Sequence, residues 1–504
     1  MTDAATTTTV GRWRELLGPK YLGVSTVLAG GVALYATNEF LTISLMPSAV
    51  ADIGGHRWYA WVTTVYLVAS VMAATTVHST LMRFGPRLSY LLALSVFGVG
   101  SVACAVSPTM EALLVGRTVQ GLAGGLLAGL GYAVINAALP EWLWTKASAL
   151  VSAMWGVGTL LGPAAGGLFS QYASWRWAFG ALAILTAAIG MLVPVAMPAR
   201  RSAGIDVPRT PVPLWSLMLL GVAALAVSAA GVPRDARATV ALLGLGALLV
   251  ATFLVVDRRQ PAAVLPPSIF GRGPVKWIYL TLGVLMAATM ADMYVPLFGQ
   301  RLAQLTPVAA GFLGAGLALG WTVGEIGSAS MGNPRAISRT VAIAPAVMAT
   351  GLALAAATMR DDAPPVLIAV WAVALITTGA GVGIAWPHLS AWAMSRVDDP
   401  AEGPTAAAAI NTVQLISGAF GAGLAGVVVN MTDTGGATPA RWLLASFAVL
   451  AAFGLLASTR SGRRRAIISD THAGRRRTAD PIPVRQRPAG DPPAGRAAPT
   501  TDGP

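Results

Sequence analysis

Apolar stretches of about 20 residues, each long enough to cross a bilayer as a helix, recur along this chain from near its start to residue 459. Fourteen can be read, near 22–46, 61–82, 88–107, 112–138, 148–170, 177–197, 214–232, 238–256, 277–299, 306–331, 338–359, 365–394, 404–430 and 441–458. A soluble protein could not hide so much apolar surface: of 504 residues, 55% are hydrophobic and only 11% charged. The fold class is therefore an all-α polytopic membrane protein. The chain opens on a polar, Thr-rich segment rather than a charged end leading into a short apolar core, so no cleavable signal peptide is expected and the first span stays.

With fourteen spans both termini lie on one side, and the basic residues choose which. Sixteen Lys and Arg side chains fall in one set of segments, with ten more arginines after residue 459, against seven in the opposite loops. Basic residues resist translocation, so the richer set and both termini are expected in the cytoplasm, with the spans in the cytoplasmic membrane. The same asymmetry accounts for the net charge of +13 without a nucleic-acid partner. Cys104 stands alone within the third span, and His56, His78, His388 and His472 lack the spacing of a zinc motif, so neither a disulfide nor a metal site is expected. No GxxxxGK[ST] stretch is present, which argues against ATP as the drive. No cofactor and no enzyme activity are expected.

Two longer linkers, near 199–213 and 257–277, cut the spans into six, two and six. The expected organisation is a cytoplasmic segment 1–20, a six-helix bundle 21–198, linkers and an inserted helix pair 199–276, a second six-helix bundle 277–459, and a disordered basic tail 460–504 able to lie on anionic lipid. The inserted pair has no charge within its spans and is expected against lipid. Duplicated six-helix units are the usual build of large secondary transporters, with substrate bound between the halves.

The stretch GVGTLLGPAAGG at 156–167 places five glycines and a proline inside the fifth span. Gly158, Gly162 and Gly166 recur every four residues, which makes one flat helix face suited to close backbone contact, and Pro163 kinks the helix beside it. GTLLGPAAGG, Gly167 included, resembles the antiporter signature of drug:proton exporters in the major facilitator superfamily. GRTVQGLAGG at 116–125 is similar to that family's fourth-helix motif, SWRWAFGAL at 174–182 to the segment entering its sixth helix, and six, two and six spans to its fourteen-helix branch. The resemblance covers nearly all of residues 20–459. Two departures stand out. HSTLMRFGPRLS keeps Arg83, Gly85 and Arg87 but has Met82 where the family carries an aspartate that latches the cytoplasmic face. In ATNEFLTISLMP, Asn38 aligns with the family's acid and Glu39 follows it, a rotation of about 100° around the helix.

Four ionisable residues fall well within spans: Glu39, Arg117, Asp292 and Glu325. Each costs about 2.5–3.5 kcal/mol at depth, so all should face the bundle interior or water. Glu39 and Asp292, in the first helices of the two halves, are the candidate proton carriers. Arg117 keeps its charge at any working pH, and the family motif implies that it tunes a nearby acid. Glu325, Arg83 and Arg87 are candidates for gating at the cytoplasmic end. Tyr35, Asn38, Gln120, Trp155, Met293 and Tyr294 are the candidate cavity lining. The expectation is a monomeric, proton-coupled exporter of lipophilic or amphipathic small molecules, its two bundles tilting past the glycine seam. Export of an endogenous lipid or secondary metabolite, and a non-transporting sensor of the same fold, are the alternatives.

Overall fold

A computed structural model describes residues 12–197, 212–233 and 235–462, and these are helical almost throughout. The tail beyond 462, most of the first linker and the N-terminal segment before Arg12 lie outside the described residues. The first half comprises α1 (Leu22–Ile53), α2 (Trp61–Ala74), α3 (Val77–Ala105), α4 (Met110–Ala133), α5 (Trp144–Tyr172) and α6 (Trp175–Ala196). The inserted pair is α7 (Leu214–Ala229) and α8 (Ala236–Asp257). The second half comprises α9 (Val275–Thr289), α10 (Val295–Ala303), α11 (Pro307–Ala329), α12 (Pro334–Thr358), α13 (Pro365–Gly383), α14 (Trp386–Ser395), α15 (Gly403–Thr432) and α16 (Thr438–Ser461).

Helices stand in the place of all fourteen expected spans. Among the described residues, eleven helical stretches are long and apolar enough to cross a membrane, and α7 is a shorter apolar helix. The second and third spans meet differently from the expected boundaries. Helix α2 ends at a turn over Thr75 and Thr76, and α3 then runs on through the basic loop, broken only at Gly85. Gly85 has φ 75° and ψ 173°, which a glycine adopts without strain, and Pro86 follows it.

Prolines shape the spans that matter most. Pro296 lacks the N–H that would donate to the Asp292 carbonyl, and the backbone tightens into a 3₁₀ turn over Met290–Tyr294 between α9 and α10. Pro387 likewise leaves the Gly383 carbonyl without its helical donor, at the break between α13 and α14, and Ser328 Oγ donates to that oxygen at 3.5 Å. Thr109, Ser174, Asp235, Thr306 and Asn333 cap helix starts by accepting a backbone N–H of the first turn.

The halves meet chiefly through α5 with α11 and α2 with α15, with α1 also against α10 and α11, and the glycine contacts of the first two pairs lie at the same end. A Cβ on Gly167 would stand 2.6 Å from Val308 Cα, and one on Gly426 2.7 Å from Ala60 Cβ. Three turns from Gly167 on the same face of α5, Gly156 has nothing within 4 Å. On the Val308 face of α11, Leu319 is 49% and Ile326 72% exposed. Asn411, two turns before Gly418 on α15, is also exposed. The same helix faces are thus pressed together at one end and bare at the other.

The inserted pair does not lie wholly against lipid. Helix α7 packs between α2 and α15, while α8 rests on α7 and is largely exposed. Trp61 Nε1 donates to Ser228 O at 3.1 Å and the Thr64 and Ser228 hydroxyls bond at 2.7 Å. Asn430 Nδ2 donates to Gly231 O and to Arg57 O, both at 3.1 Å, and Arg57 donates to Val232 O. The pair is stitched to both halves at their closed end.

Candidate functional site

The polar centre of the first half is built around Arg117, which α4 holds 2% exposed. Its Nε donates to Val62 O at 3.3 Å, and its Nη1 to Asn38 Oδ1 at 3.2 Å and Gln120 Oε1 at 2.8 Å. The guanidinium lies 4.1 Å from the Tyr66 ring centroid. Gln120 is i+3 from Arg117 on the same helix face, and its Nε2 donates to Ser101 Oγ at 2.9 Å. The glycines that permit this approach are specific: a Cβ on Gly100 would stand 2.8 Å from Gln120 N, and one on Gly116 2.9 Å from Cys104 N. Arg117 is therefore a fixed cation held by neutral acceptors and a ring face.

Asn38, in the place of the family's acid, accepts from Arg117. Glu39, the next residue of α1, is half-buried and makes no ion pair with it among the described residues. Asp292 sits in the 3₁₀ turn between α9 and α10, and its Oδ1 is buried without a hydrogen-bond partner among the described residues. The break at Pro296 sets Asp292 beside α11, where Gly314 approaches its carbonyl and Pro296 itself. Glu39 on α1 and Asp292 in the turn before α10, 253 residues apart in sequence, belong to segments that meet where α1 packs against α10 and α11.

Aromatic rings frame this centre. Tyr35 stacks on Tyr66 at 5.9 Å and meets Trp155 edge-on at 5.5 Å. Across the halves, Tyr59 stacks on Tyr294 at 4.6 Å, Tyr294 on Phe298 at 6.0 Å, and the Tyr59 hydroxyl donates to Met293 O at 3.3 Å. Of the candidate lining, Trp155 is partly exposed, Tyr35, Asn38 and Gln120 are packed in the Arg117 cluster, and Met293 and Tyr294 are buried in the closed contact. Tyr59, Tyr66, Ser101 and Phe298 join the site without having been singled out by sequence. Ser101 and Cys104, i and i+3 on α3 opposite Gly116, carried the one signal that could have found a polar partner for Gln120.

The glycine stretch has a different partner from the one expected. A Cβ on Gly158 would stand 2.6 Å from Ala36 Cβ, on Gly162 2.5 Å from Phe40 Cβ, and on Gly166 2.6 Å from Leu41 O, so this seam joins α5 to α1 inside the first half. Only its end reaches the second half, through Gly167 and through Pro163 O, which accepts from Ser44 Oγ at 3.3 Å close beside Gly311. Remote from the centre, Glu325 Oε2 accepts from Trp321 Nε1 of its own helix at 2.9 Å. Arg83 is exposed, over the Phe84 ring, and Arg87 is half-buried; neither is in the central cluster.

Residues 28–422 match the sequence profile of the Major Facilitator Superfamily. The chain belongs to the major facilitator superfamily. It is 63% identical over 468 residues to a probable multidrug-efflux transporter of Mycobacterium tuberculosis strain H37Rv, covering 92% of this chain and 99% of that one. The puromycin resistance protein of Streptomyces alboniger is 28% identical over 424 residues, 82% of each chain. Among solved structures, the nucleoside transporter NupG superposes with a TM-score of 0.62 at 13% identity, covering 88% of this chain and 99% of that one. A D-xylose-proton symporter gives 0.61 at 16% identity over 88% and 97%. Fold and family are those of transporters.

Proposed function

We propose that this major facilitator protein exports lipophilic or amphipathic small molecules from the cytoplasm, driven by protons returning through the same centre. Relatives that carry multidrug-efflux and puromycin-resistance names support the export of small molecules. One observation carries the coupling: Asp292 Oδ1 is buried without a hydrogen-bond partner among the described residues, in the turn before α10, and α1, which carries Glu39, packs against α10 and α11 of the other half. The number of protons Glu39 and Asp292 hold sets the charge between the halves, and so the balance between closing one end and closing the other. The basic-residue asymmetry supports a reading in which the bare end and both termini face the cytoplasm, in the cytoplasmic membrane. Each proton moving inward contributes about 2.3 kcal/mol per 100 mV of potential.

Dye efflux from everted vesicles tests this. Glu39→Gln and Asp292→Asn should each reduce efflux driven by a pH gradient by tenfold or more while the protein still inserts. Transport by both variants at the wild-type rate would sink the coupling scheme.

A further inference from the structure

The inserted pair is bound to the second half at both of its ends. At the closed end α7 and α15 meet through backbone: a Cβ on Gly423 would stand 3.0 Å from Ser228 N, and one on Gly231 3.0 Å from Val427 N. The Thr239 hydroxyl of α8 also donates to Met431 Sδ at 3.7 Å. At the bare end the linker after α8 folds into a strap. Asp257 is fully buried and accepts from Val264 N at 2.8 Å and Leu265 N at 3.0 Å, which turns the chain back onto the end of α8. Ser268 then donates to Glu402 Oε2 through its N–H at 3.0 Å and through its hydroxyl, and that hydroxyl accepts from Asp398 N at 2.7 Å. The strap is thereby tied to the loop that leads into α15.

The hold on the first half is of another kind. Among the described residues, hydrogen bonds between the pair and that half run only through the side chains of Arg57, Trp61 and Thr64, all at the closed end. Arg57 donates to Val232 O, Trp61 Nε1 to Ser228 O, and the Thr64 hydroxyl bonds that of Ser228. Further along α7, a Cβ on Gly221 would stand 3.1 Å from Val68 Cγ1, the tip of a side chain rather than backbone. Side-chain bonds along one edge can be released together and replaced by water, whereas a backbone contact at one end and a strap at the other must be unpacked twice.

We propose that α7 and α8 move with the second half as one body, and that Arg57, Trp61 and Thr64 form a clasp that releases them each time the closed end opens. The clasp adds to the glycine contacts and biases the resting protein toward the conformation in which this end is shut. Asn430 of α15 reinforces it, since its one amide donates both to Gly231 O of the pair and to Arg57 O of the first half. Glu39 and Asp292 take no part, so the inference goes beyond the export reading and is independent of the molecule carried.

Spin-label distances in the purified full chain, in nanodiscs without substrate or gradient and in a Cys104→Ala background, test it. Labels replace Tyr172 of the first half, Arg301 of the second and Arg237 at the start of α8, two at a time; all three positions are exposed. Trp61→Phe with Thr64→Val should raise the ratio of long to short 172–301 distances by roughly fivefold or more. The 237–172 distance should lengthen with it, and the 237–301 distance should stay as in the unsubstituted background. Ser228→Ala, which removes one hydroxyl and adds no bulk, should shift the same ratio in the same direction by about twofold, and supplies the reading where the double variant does not insert. An unchanged 172–301 ratio overturns the clasp, and lengthening of the 237–301 distance overturns the common body. Loss of coupled efflux in the Glu39 and Asp292 variants leaves these distances to be judged on their own, so the two readings fail separately.

Discussion

The two ends of the helices that join the halves differ although their faces are continuous. At one end Gly167 of α5 meets the backbone of Val308, and Gly426 of α15 meets Ala60. At the other, a Cβ on Gly156 would meet nothing within 4 Å, and Leu319 and Ile326 on the corresponding face of α11 are exposed. Closure here rests on shape and on neutral hydrogen bonds across the halves, from Asn430 Nδ2 to Arg57 O and from the Tyr59 hydroxyl to Met293 O. The ion pair seen among the described residues, Asp52 with Arg176, lies wholly inside the first half and cannot hold the halves together. A contact made by glycines against backbone is either fully seated or lost, which is what a two-state switch requires.

Gly167→Leu should break this comparison most severely. Its Cβ would stand 2.6 Å from Val308 Cα and 2.9 Å from Val308 N, atoms that move only if the halves part. Overpacking of this kind costs about 1–3 kcal/mol, which is a shift of roughly five- to 150-fold in the balance between end states. Spin labels at Tyr172→Cys and Arg301→Cys, in a Cys104→Ala background, should report a longer distance between the halves at this end. An unchanged distance distribution would mean that the contact does not control the switch.

Gly156→Leu sharpens the same point from the bare end, with a smaller effect. The added side chain has open space in this conformation, so the melting temperature should stay near wild type, within about 0.5 kcal/mol of stability. Alternating access requires the bare end to close in turn, and the leucine then stands where a glycine allowed approach. Efflux should fall several-fold while folding is unaffected. Full transport by this variant would show that α5 does not meet the second half at that end.

How far these features could be read from sequence follows from what spacing encodes. Apolar length and basic asymmetry are properties of each segment alone, and helices stand where all fourteen spans were expected. Gly158, Gly162 and Gly166 announce a face for close packing, but spacing does not name the partner, which is α1 rather than the second bundle. Pro296 and Asp292 are four residues apart, enough to foresee a missing helix bond, yet whether the chain kinks or tightens depends on α11 beside it. Asn38 and Glu39 were legible as a displaced acid. Only the folded chain shows that the asparagine takes the arginine and that Glu39 makes no ion pair among the described residues. Met293 and Tyr294 were expected to line a cavity from their position in the chain, but the 3₁₀ turn directs them into the closed contact.

The mildest test concerns the rim of the closed end. Asp52 accepts hydrogen bonds from Arg176 and from Trp175 Nε1, and Arg176 Nη2 also donates to Ser107 O at 3.1 Å, so loops of the first half are tied to one another. The Arg176 guanidinium, then the Trp175 indole, holds the Asp52 carboxyl below its ordinary value. A depressed carboxyl contributes stability that is present above its unfolded value, near 3.9, and is lost as pH falls through the lower folded value. Asp52→Asn should therefore lower the melting temperature slightly at neutral pH, with the gap to wild type narrowing below about pH 4. Every partner of Asp52 belongs to the first half, so the distance between the labels at positions 172 and 301 should not change. A change in that distance would show that the rim, and not the glycine contact alone, helps set which end is closed.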